Sequence, residues 1–324
     1  MMPTENGYAP NPEAFPQVME QIHDINLNGF PTYEVVSLSR LLDSSNITYE
    51  EWNEIGRVIR DRYHDFDGFV VLHGTDTMAY TASAMSFMLE GLSKPVIFTG
   101  SQIPLCCLRS DGIDNLVTSM LVAASSEVSE VCLYFGGQLL RANRATKISA
   151  DGLEAFSSPN YPRLAEIGTS IVYRKKNLRQ RSAEPFHFHE IGPVPIAVLK
   201  IFPGIQYPLF ETIFSGSMRG VVLEAFGAGN IPDNDGLSNI FAAAKKHGVV
   251  LTVCSQCNNG NVHIGTYAAS MHLKAAGAVS GHDMTTEAAV AKLYYLFSRY
   301  DDTKVIKRLM ETDLRGEISP FDEK

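Results

Sequence analysis

The sequence predicts an α/β protein: a doubly wound parallel-sheet N-terminal domain followed by a smaller α/β C-terminal domain. Three observations carry this. Short apolar runs alternate with segments whose apolar residues recur at helical spacing, the pattern of a parallel sheet covered on both faces. A polar, basic stretch interrupts that alternation near the middle of the chain. The length of 324 residues suits two domains at about 150 residues each.

In chain order, Thr48 and Glu51 form a capping box for a helix carrying Trp52, Ile55 and Ile59 on one face. GFVVLHG (68–74) reads as a buried strand. Behind it, Met78, Ala82, Met85, Leu89 and Leu92 predict a helix from Asp76 to about Gly91. PVIFTG (95–100) repeats the pattern before a helix from Asp111, and EVCLYFGG (130–137) is a strand before a polar segment. Between Arg174 and Glu190 five basic residues fall within 174–181 and Pro185 breaks any helix, which predicts a linker. Beyond it, IAVLKIF (196–202), RGVVLEAFG (219–227) and GVVLTVC (248–254) are strands, with helices near 207–215, 235–247 and 285–298. The expected division is residues 1–173, a linker over 174–195, and residues 196–324.

Composition narrows the function. With 45% hydrophobic and 19% charged residues the chain is an ordinary globular protein rather than a disordered or coiled-coil one. A net charge of -9 repels phosphate backbones and anionic lipid, so neither nucleic acid nor membrane is an expected partner. No apolar run approaches the length of a membrane span and the first lysine or arginine is Arg40, so a basic-fronted leader is not expected and the cytoplasm is the expected compartment.

Cys106, Cys107, Cys132, Cys254 and Cys257 are an odd number in a large chain and read as reduced thiols. Cys254 and Cys257 form one C-x-x-C, but no second pair follows to complete a zinc site, so both read as core thiols at a strand end. His187 and His189 share a face of an extended segment and could in principle hold a metal, although a solvated linker also accounts for them.

Open α/β sheets bind ligands beyond the carboxyl ends of their strands. Three such turns are polar and glycine-bearing: HGTDTM (73–78), TGSQIP (99–104) and FGAGN (226–230). The phosphate-binding glycine motifs, H-E-x-x-H and G-x-S-x-G are all missing, which leaves hydroxyl, carboxylate and lysine chemistry. From spacing alone, Asp76 reads as an N-cap and Thr75 as a turn residue, with a catalytic pair as the alternative.

The run 68–104, continuing through RSDGIDNL (109–116), resembles bacterial-type L-asparaginases of the cytosolic type I group. LLDSSNIT (41–48), RANRATKISADGLEAFSSPN (141–160) and FGAGNIP (226–232) extend the resemblance in order over essentially the whole chain. It implies hydrolysis of the side-chain amide of asparagine to aspartate and ammonia, without metal or organic cofactor, by a homodimer or homotetramer. It also implies that Thr75, Asp76 and Lys147 are catalytic and that Asp43, Ser44 and Ser45 hold substrate. In these roles Lys147 polarises the Thr75 hydroxyl. Asp76 holds the lysine and accepts the substrate α-ammonium, and Ser44 with backbone amides near Thr75 meets the α-carboxylate. Without the resemblance, Lys147 reads as a surface lysine on a polar loop. The alternatives are a non-catalytic amino-acid-binding relative and the ammonia-releasing subunit of a tRNA amidotransferase.

Two departures accompany the resemblance. Allosterically controlled bacterial type I enzymes carry an arginine in the strand where this chain has Glu224, so hyperbolic kinetics are expected; Glu224 could equally serve only to close a strand end. Family members begin with a strand leading into a T-G-G-T-I-G turn whose second threonine is the primary nucleophile. MMPTENGYAP resembles the segment just after that turn. Tyr8 then corresponds to the tyrosine of the family's mobile loop, and Thr4, expected in the same loop, is a poor substitute nucleophile. The expectation is a truncated or wrongly started enzyme with at most trace activity as written.

Overall fold

The computed structural model describes residues 2–4, 7–9, 14–206, 217–232, 235–266 and 270–320. The chain divides into two units: Met1–Ser158 with Pro162–Glu190, and Pro159–Tyr161 with Ile191–Lys324.

Unit 1 opens with strands β1 (Met2–Thr4) and β2 (Gly7–Ala9), an antiparallel pair in which Pro3 faces Tyr8 and Thr4 faces Gly7. Thr4 and Tyr8, expected in a loop, therefore lie on paired backbone; the Tyr8 side chain is outside the described residues. Helix α1 (Ala14–Gln21) follows, then α2 (Tyr49–Arg62), which begins at the expected capping box. There Glu51 Oε2 accepts from the Thr48 N–H at 2.8 Å. Trp52, Ile55 and Ile59 are buried as expected, and Trp52 Nε1 donates to Thr81 Oγ1 at 2.9 Å.

Next come β3 (Phe69–Leu72), α3 (Met78–Met88), β4 (Leu89–Glu90), β5 (Val96–Thr99), α4 (Gly112–Ala123), β6 (Val131–Phe135) and β7 (Gln138–Arg141). After them lie β8 (Thr146–Lys147), β9 (Phe156–Ser157), β10 (Ala165–Ile167), β11 (Ile171–Tyr173) and β12 (His187–Phe188). The main sheet runs β11-β10-β7-β6-β5-β3. Only β3, β5 and β6 are parallel; β7, β10 and β11 are antiparallel, so the sheet is mixed rather than wholly parallel. The cause is local. Gly136 (φ 55°) and Gly137 (φ 78°) both take the left-handed region, and a two-residue loop of that kind turns the chain straight back on itself.

Two further expectations are corrected. β3 is not a fully buried strand: it ends the sheet among the described residues, and Leu72 is 43% exposed. Val70 packs on the cluster of Met19, Ile22, Leu116 and Met120. α3 is not amphipathic. Ten of its eleven residues, including Ser83 and Ser86, are buried, and the Ser86 hydroxyl donates to Ala82 O at 2.9 Å.

Residues 174–190, read in the sequence as a linker, lie within unit 1. The Arg179 N–H donates to Glu130 Oε1 at 2.8 Å, and Asn177 O accepts from buried Arg141 at 2.9 Å. β12 pairs with β4, Phe188 lies where any side chain on Gly56 would clash, and His189 Nε2 meets Glu90 Oε2 at 2.6 Å. The exposed basic residues hid these backbone and aromatic anchors.

Unit 2 holds a wholly parallel sheet, β13 (Ile196–Lys200), β14 (Gly220–Ala225), β15 (Val250–Ser255) and β16 (Val279–Ser280), in that order. Helices α5 (Asp235–Lys246), α6 (Met271–Ala276), α7 (Thr286–Arg299) and α8 (Thr303–Met310) accompany it. Val221, Leu223, Leu251 and Val253 form its core with Leu237, Ile240 and Phe241 of α5. The helix expected near 207–215 lies outside the described residues. Cys254 is buried in β15, but Cys257 is exposed and is not a core thiol. No described helix is long and apolar enough to cross a membrane.

Candidate active site

Thr75 and Asp76 sit in the turn between β3 and α3, at the carboxyl end of a parallel strand. The residue before them must be small. A Cβ on Gly74 would lie 2.6 Å from Ser44 Oγ, so glycine is what lets the 43–45 segment approach. Thr77 Oγ1 fastens that segment by donating to Ser44 O at 2.7 Å. The Asp43 carboxylate accepts the Ser45 N–H (2.9 Å) and hydroxyl (2.7 Å), which hold its carboxyl below the usual range and cap the short turn Ser44–Asn46. Ser44 is buried, whereas Ser45 is exposed.

Lys147 arrives from β8, which pairs with β9 through Lys147 and Phe156. It is not on a loose surface loop: its side chain is 18% exposed. Its Nζ donates to Thr75 Oγ1 at 2.9 Å and to Asp76 Oδ1 at 2.7 Å. Thr75 Oγ1 in turn donates to Gln102 Oε1 at 3.1 Å, and Gln102 Nε2 donates to Gly152 O at 3.2 Å. Asp76 is not an N-cap: Thr77 holds that position, with no side-chain cap bond. The Asp76 side chain is 67% exposed, so the carboxylate that anchors the lysine also faces outward, where a cation could meet it.

A hydrogen-bonded wall supports this set from behind. The His73 N–H donates to Thr99 O at 2.9 Å. Burial pushes the His73 imidazole down to about 4, so it is neutral near pH 7 and its Nδ1 can donate to Gly74 O at 2.7 Å. Asp111 accepts the N–H groups of Gln102 (3.1 Å) and Ile103 (2.9 Å). Asn115 donates to Gly100 O at 3.0 Å and accepts the Gly136 N–H at 3.2 Å.

The structure thus brings together Thr75, Asp76 and Lys147, and sets Ser44 against Gly74 with Asp43 and Ser45 beside it. Sequence reasoning missed Gln102, Asp111 and Asn115 as members of the network. Gln102 lay inside the TGSQIP turn already marked as polar, and Asp111 was read only as a helix start. Of the three glycine-bearing strand-end turns, HGTDTM and TGSQIP meet in unit 1; FGAGN belongs to unit 2. Among the described residues no group of three or more His, Cys, Asp or Glu could hold a metal, His187 and His189 included.

A hydroxyl, an amine and a carboxylate thus lie in one hydrogen-bonded row beside small polar residues at a strand end, with no nucleotide or zinc motif in the sequence. The chain belongs to the asparaginase family. The model described as Asparaginase, N-terminal, matches residues 1–179, and that described as Glutaminase/Asparaginase C-terminal domain matches residues 195–310. It is 42% identical over 322 residues to L-asparaginase 1 of Escherichia coli K12, covering 99% of this chain and 95% of that protein. Its structure is similar to L-asparaginase I from Vibrio cholerae, with a TM-score of 0.90 and 39% identity over 98% of this chain and 95% of that one. It is also similar to the thermostable L-asparaginase from Thermococcus kodakarensis, with a TM-score of 0.87 and 28% identity over 99% and 96%.

Proposed function

We propose that the protein hydrolyses the side-chain amide of L-asparagine to L-aspartate and ammonia, with Thr75, Asp76 and Lys147 as the catalytic set. The observation that supports it most directly is Lys147 Nζ bridging Thr75 Oγ1 and Asp76 Oδ1. A threonine hydroxyl is a weak nucleophile and proton donor until a neighbouring base shares its proton. Lys147 supplies that neighbour, and Asp76 and Gln102 hold the two in register. A threonine oxygen bonds to the amide carbon, the carbon–nitrogen bond breaks, and ammonia leaves with the proton relayed through Thr75 and Lys147. Water then cleaves the ester and releases aspartate. The outward face of Asp76 accepts the α-ammonium, and Ser44 with backbone N–H groups by Thr75 takes the α-carboxylate, so a free amino acid is preferred over a bare amide. Asp43 and Ser45 support that cradle.

The enzyme is read as a homodimer or homotetramer working in the cytoplasm on a small-molecule substrate, with no nucleic acid, membrane or cofactor involved. The amidotransferase reading is not favoured, given a net charge of -9 against the basic surface that tRNA calls for.

The test is ammonia release from asparagine, measured beside glutamine, by the 324-residue chain and its Thr75→Ala variant. Full turnover that Thr75→Ala abolishes makes Thr75 the nucleophile. Release from neither substrate overturns the proposal.

Asp76→Asn is expected to raise KM and lower kcat together, because it removes both the ammonium partner and the charge that holds Lys147. An unchanged KM in steady-state kinetics rules out the ammonium contact.

Substrate titration is expected to be hyperbolic. Glu224 Oε1 accepts from Thr286 Oγ1 at 2.7 Å, and its other oxygen lies 3.6 Å from Lys200 Nζ. A carboxylate there repels an effector carboxylate and is already occupied in tying β14 to the start of α7. A Hill coefficient clearly above one that Glu224→Ala removes would contradict this.

A further inference from the structure

The TGSQIP turn runs into a loop that is closed at its base and carries two adjacent cysteines at its tip. Gln102 and Ile103 donate to Asp111, and Ser110 Oγ donates to Ile103 O at 2.8 Å, closing the two ends of the loop on each other. At the tip stand Cys106, exposed, and Cys107, partly exposed, with their sulfurs 3.9 Å apart and no disulfide between them. Two sulfurs this close on one short loop form a chelating pair.

Adjacent α-carbons across a trans peptide stand about 3.8 Å apart, short of the roughly 4.4–6.8 Å that an ordinary disulfide spans. Direct closure of neighbouring cysteines is therefore strained, whereas an atom inserted between the sulfurs lengthens the ring. Among the described residues no group of three or more His, Cys, Asp or Glu gathers here, so an ion that demands three or four protein ligands is poorly served. A soft centre satisfied by two sulfurs is well served.

We propose that Cys106 and Cys107 form a bidentate dithiol site that captures trivalent arsenic compounds. With an arsenoxide, each S–H bond breaks as an As–S bond forms, and the two protons leave with the arsenoxide oxygen as water. Arsenic stays trivalent, so no oxidant or reductant takes part. The second sulfur binds intramolecularly at high effective concentration, which makes the adduct resist monothiols. The remaining cysteines cannot imitate this. Cys132 and Cys254 are buried, with their thiols pushed up by burial, that of Cys254 to about 12. Cys257 is exposed, but Cys254, its C-x-x-C partner, lies in the core, so it offers one sulfur only.

The experiment is intact-protein mass spectrometry of the native chain after treatment with phenylarsine oxide. The expected result is one adduct per chain that withstands excess glutathione and is removed by dithiothreitol. Cys106→Ser and Cys107→Ser should each lower the glutathione-resistant fraction by about 10²-fold, and Cys257→Ser should leave it unchanged, with circular dichroism checking the fold of each. A wild-type chain without a glutathione-resistant adduct, or an adduct that either single serine variant retains, overturns the proposal.

Discussion

Lys147→Met is expected to lower asparagine hydrolysis by about 10²-fold or more, the usual contribution of a positioned proton-transfer group. The measurement is ammonia release from asparagine by parent and variant. The loss follows from geometry: among the described residues Lys147 Nζ alone bonds to both Thr75 Oγ1 and Asp76 Oδ1, so of their described partners removing the amine leaves the hydroxyl Gln102 and takes from the carboxylate its cation. Methionine keeps the length and apolar character of the lysine stem, so the melting temperature should stay close to that of the parent. Activity above about a tenth of the parent would remove Lys147 from the mechanism, since a relay group contributes more than that. A collapse in melting temperature alongside the loss would instead make its role structural.

Glu317→Gln is expected to destabilise the folded state by about 3–5 kcal/mol at neutral pH, the range for breaking a buried ion pair. Lys292 and Glu317 are both 0% exposed and 2.5 Å apart. Lys292 also donates to Met310 O and Thr312 O, and Glu317 accepts the backbone N–H groups of Leu314 and Arg315. Burial alone would raise the Glu317 carboxyl, but Lys292 and those N–H donors hold it below its ordinary value. Burial pushes Lys292 down against the pull of its partner. The sign for Glu317 is then fixed: its stabilisation is complete above the unfolded carboxylate pKa of about 4.3 and is lost as pH falls through the lower folded value. The parent should lose stability steeply on that acid side, and the variant should lose much less there. Urea unfolding at neutral pH and again below pH 4 checks both. A neutral-pH difference under about 1 kcal/mol would contradict a buried pair. Lys292→Met combined with Glu317→Gln should recover part of the loss, because no unpaired charge then remains buried.

Much of the fold was legible because its signals are local. The capping box of Thr48 and Glu51, the strands over 95–100 and 130–137, and three of the four strands of unit 2 follow from residue type and spacing within a few positions. The antiparallel half of the unit 1 sheet had a local signal too, in Gly136 and Gly137, but the weight given to strand-helix alternation hid it. The run 174–181 misled for the opposite reason. Its charged side chains face solvent while its backbone and Asn177 dock on buried Glu130 and Arg141, and side-chain polarity does not report what a backbone bonds to.

The sequence by itself determined that this is an α/β protein of the asparaginase family and that Thr75, Asp76, Lys147 and the 43–45 segment are its candidate site residues. The fold class rests on short-range hydrophobic period and turn residues; the family and the site residues rest on the resemblance carried by contiguous motifs, which alone implied Lys147 and the 43–45 segment. Only the tertiary structure decided how the residues meet. Lys147 lies 71 and 72 positions from Asp76 and Thr75, Thr77 lies 33 from Ser44, and Gln102 lies 27 from Thr75. No periodicity of three or two residues reaches across such gaps. Closing them depends on which strands pair and on where a glycine such as Gly74 lets one backbone approach another, and both are properties of the packed chain.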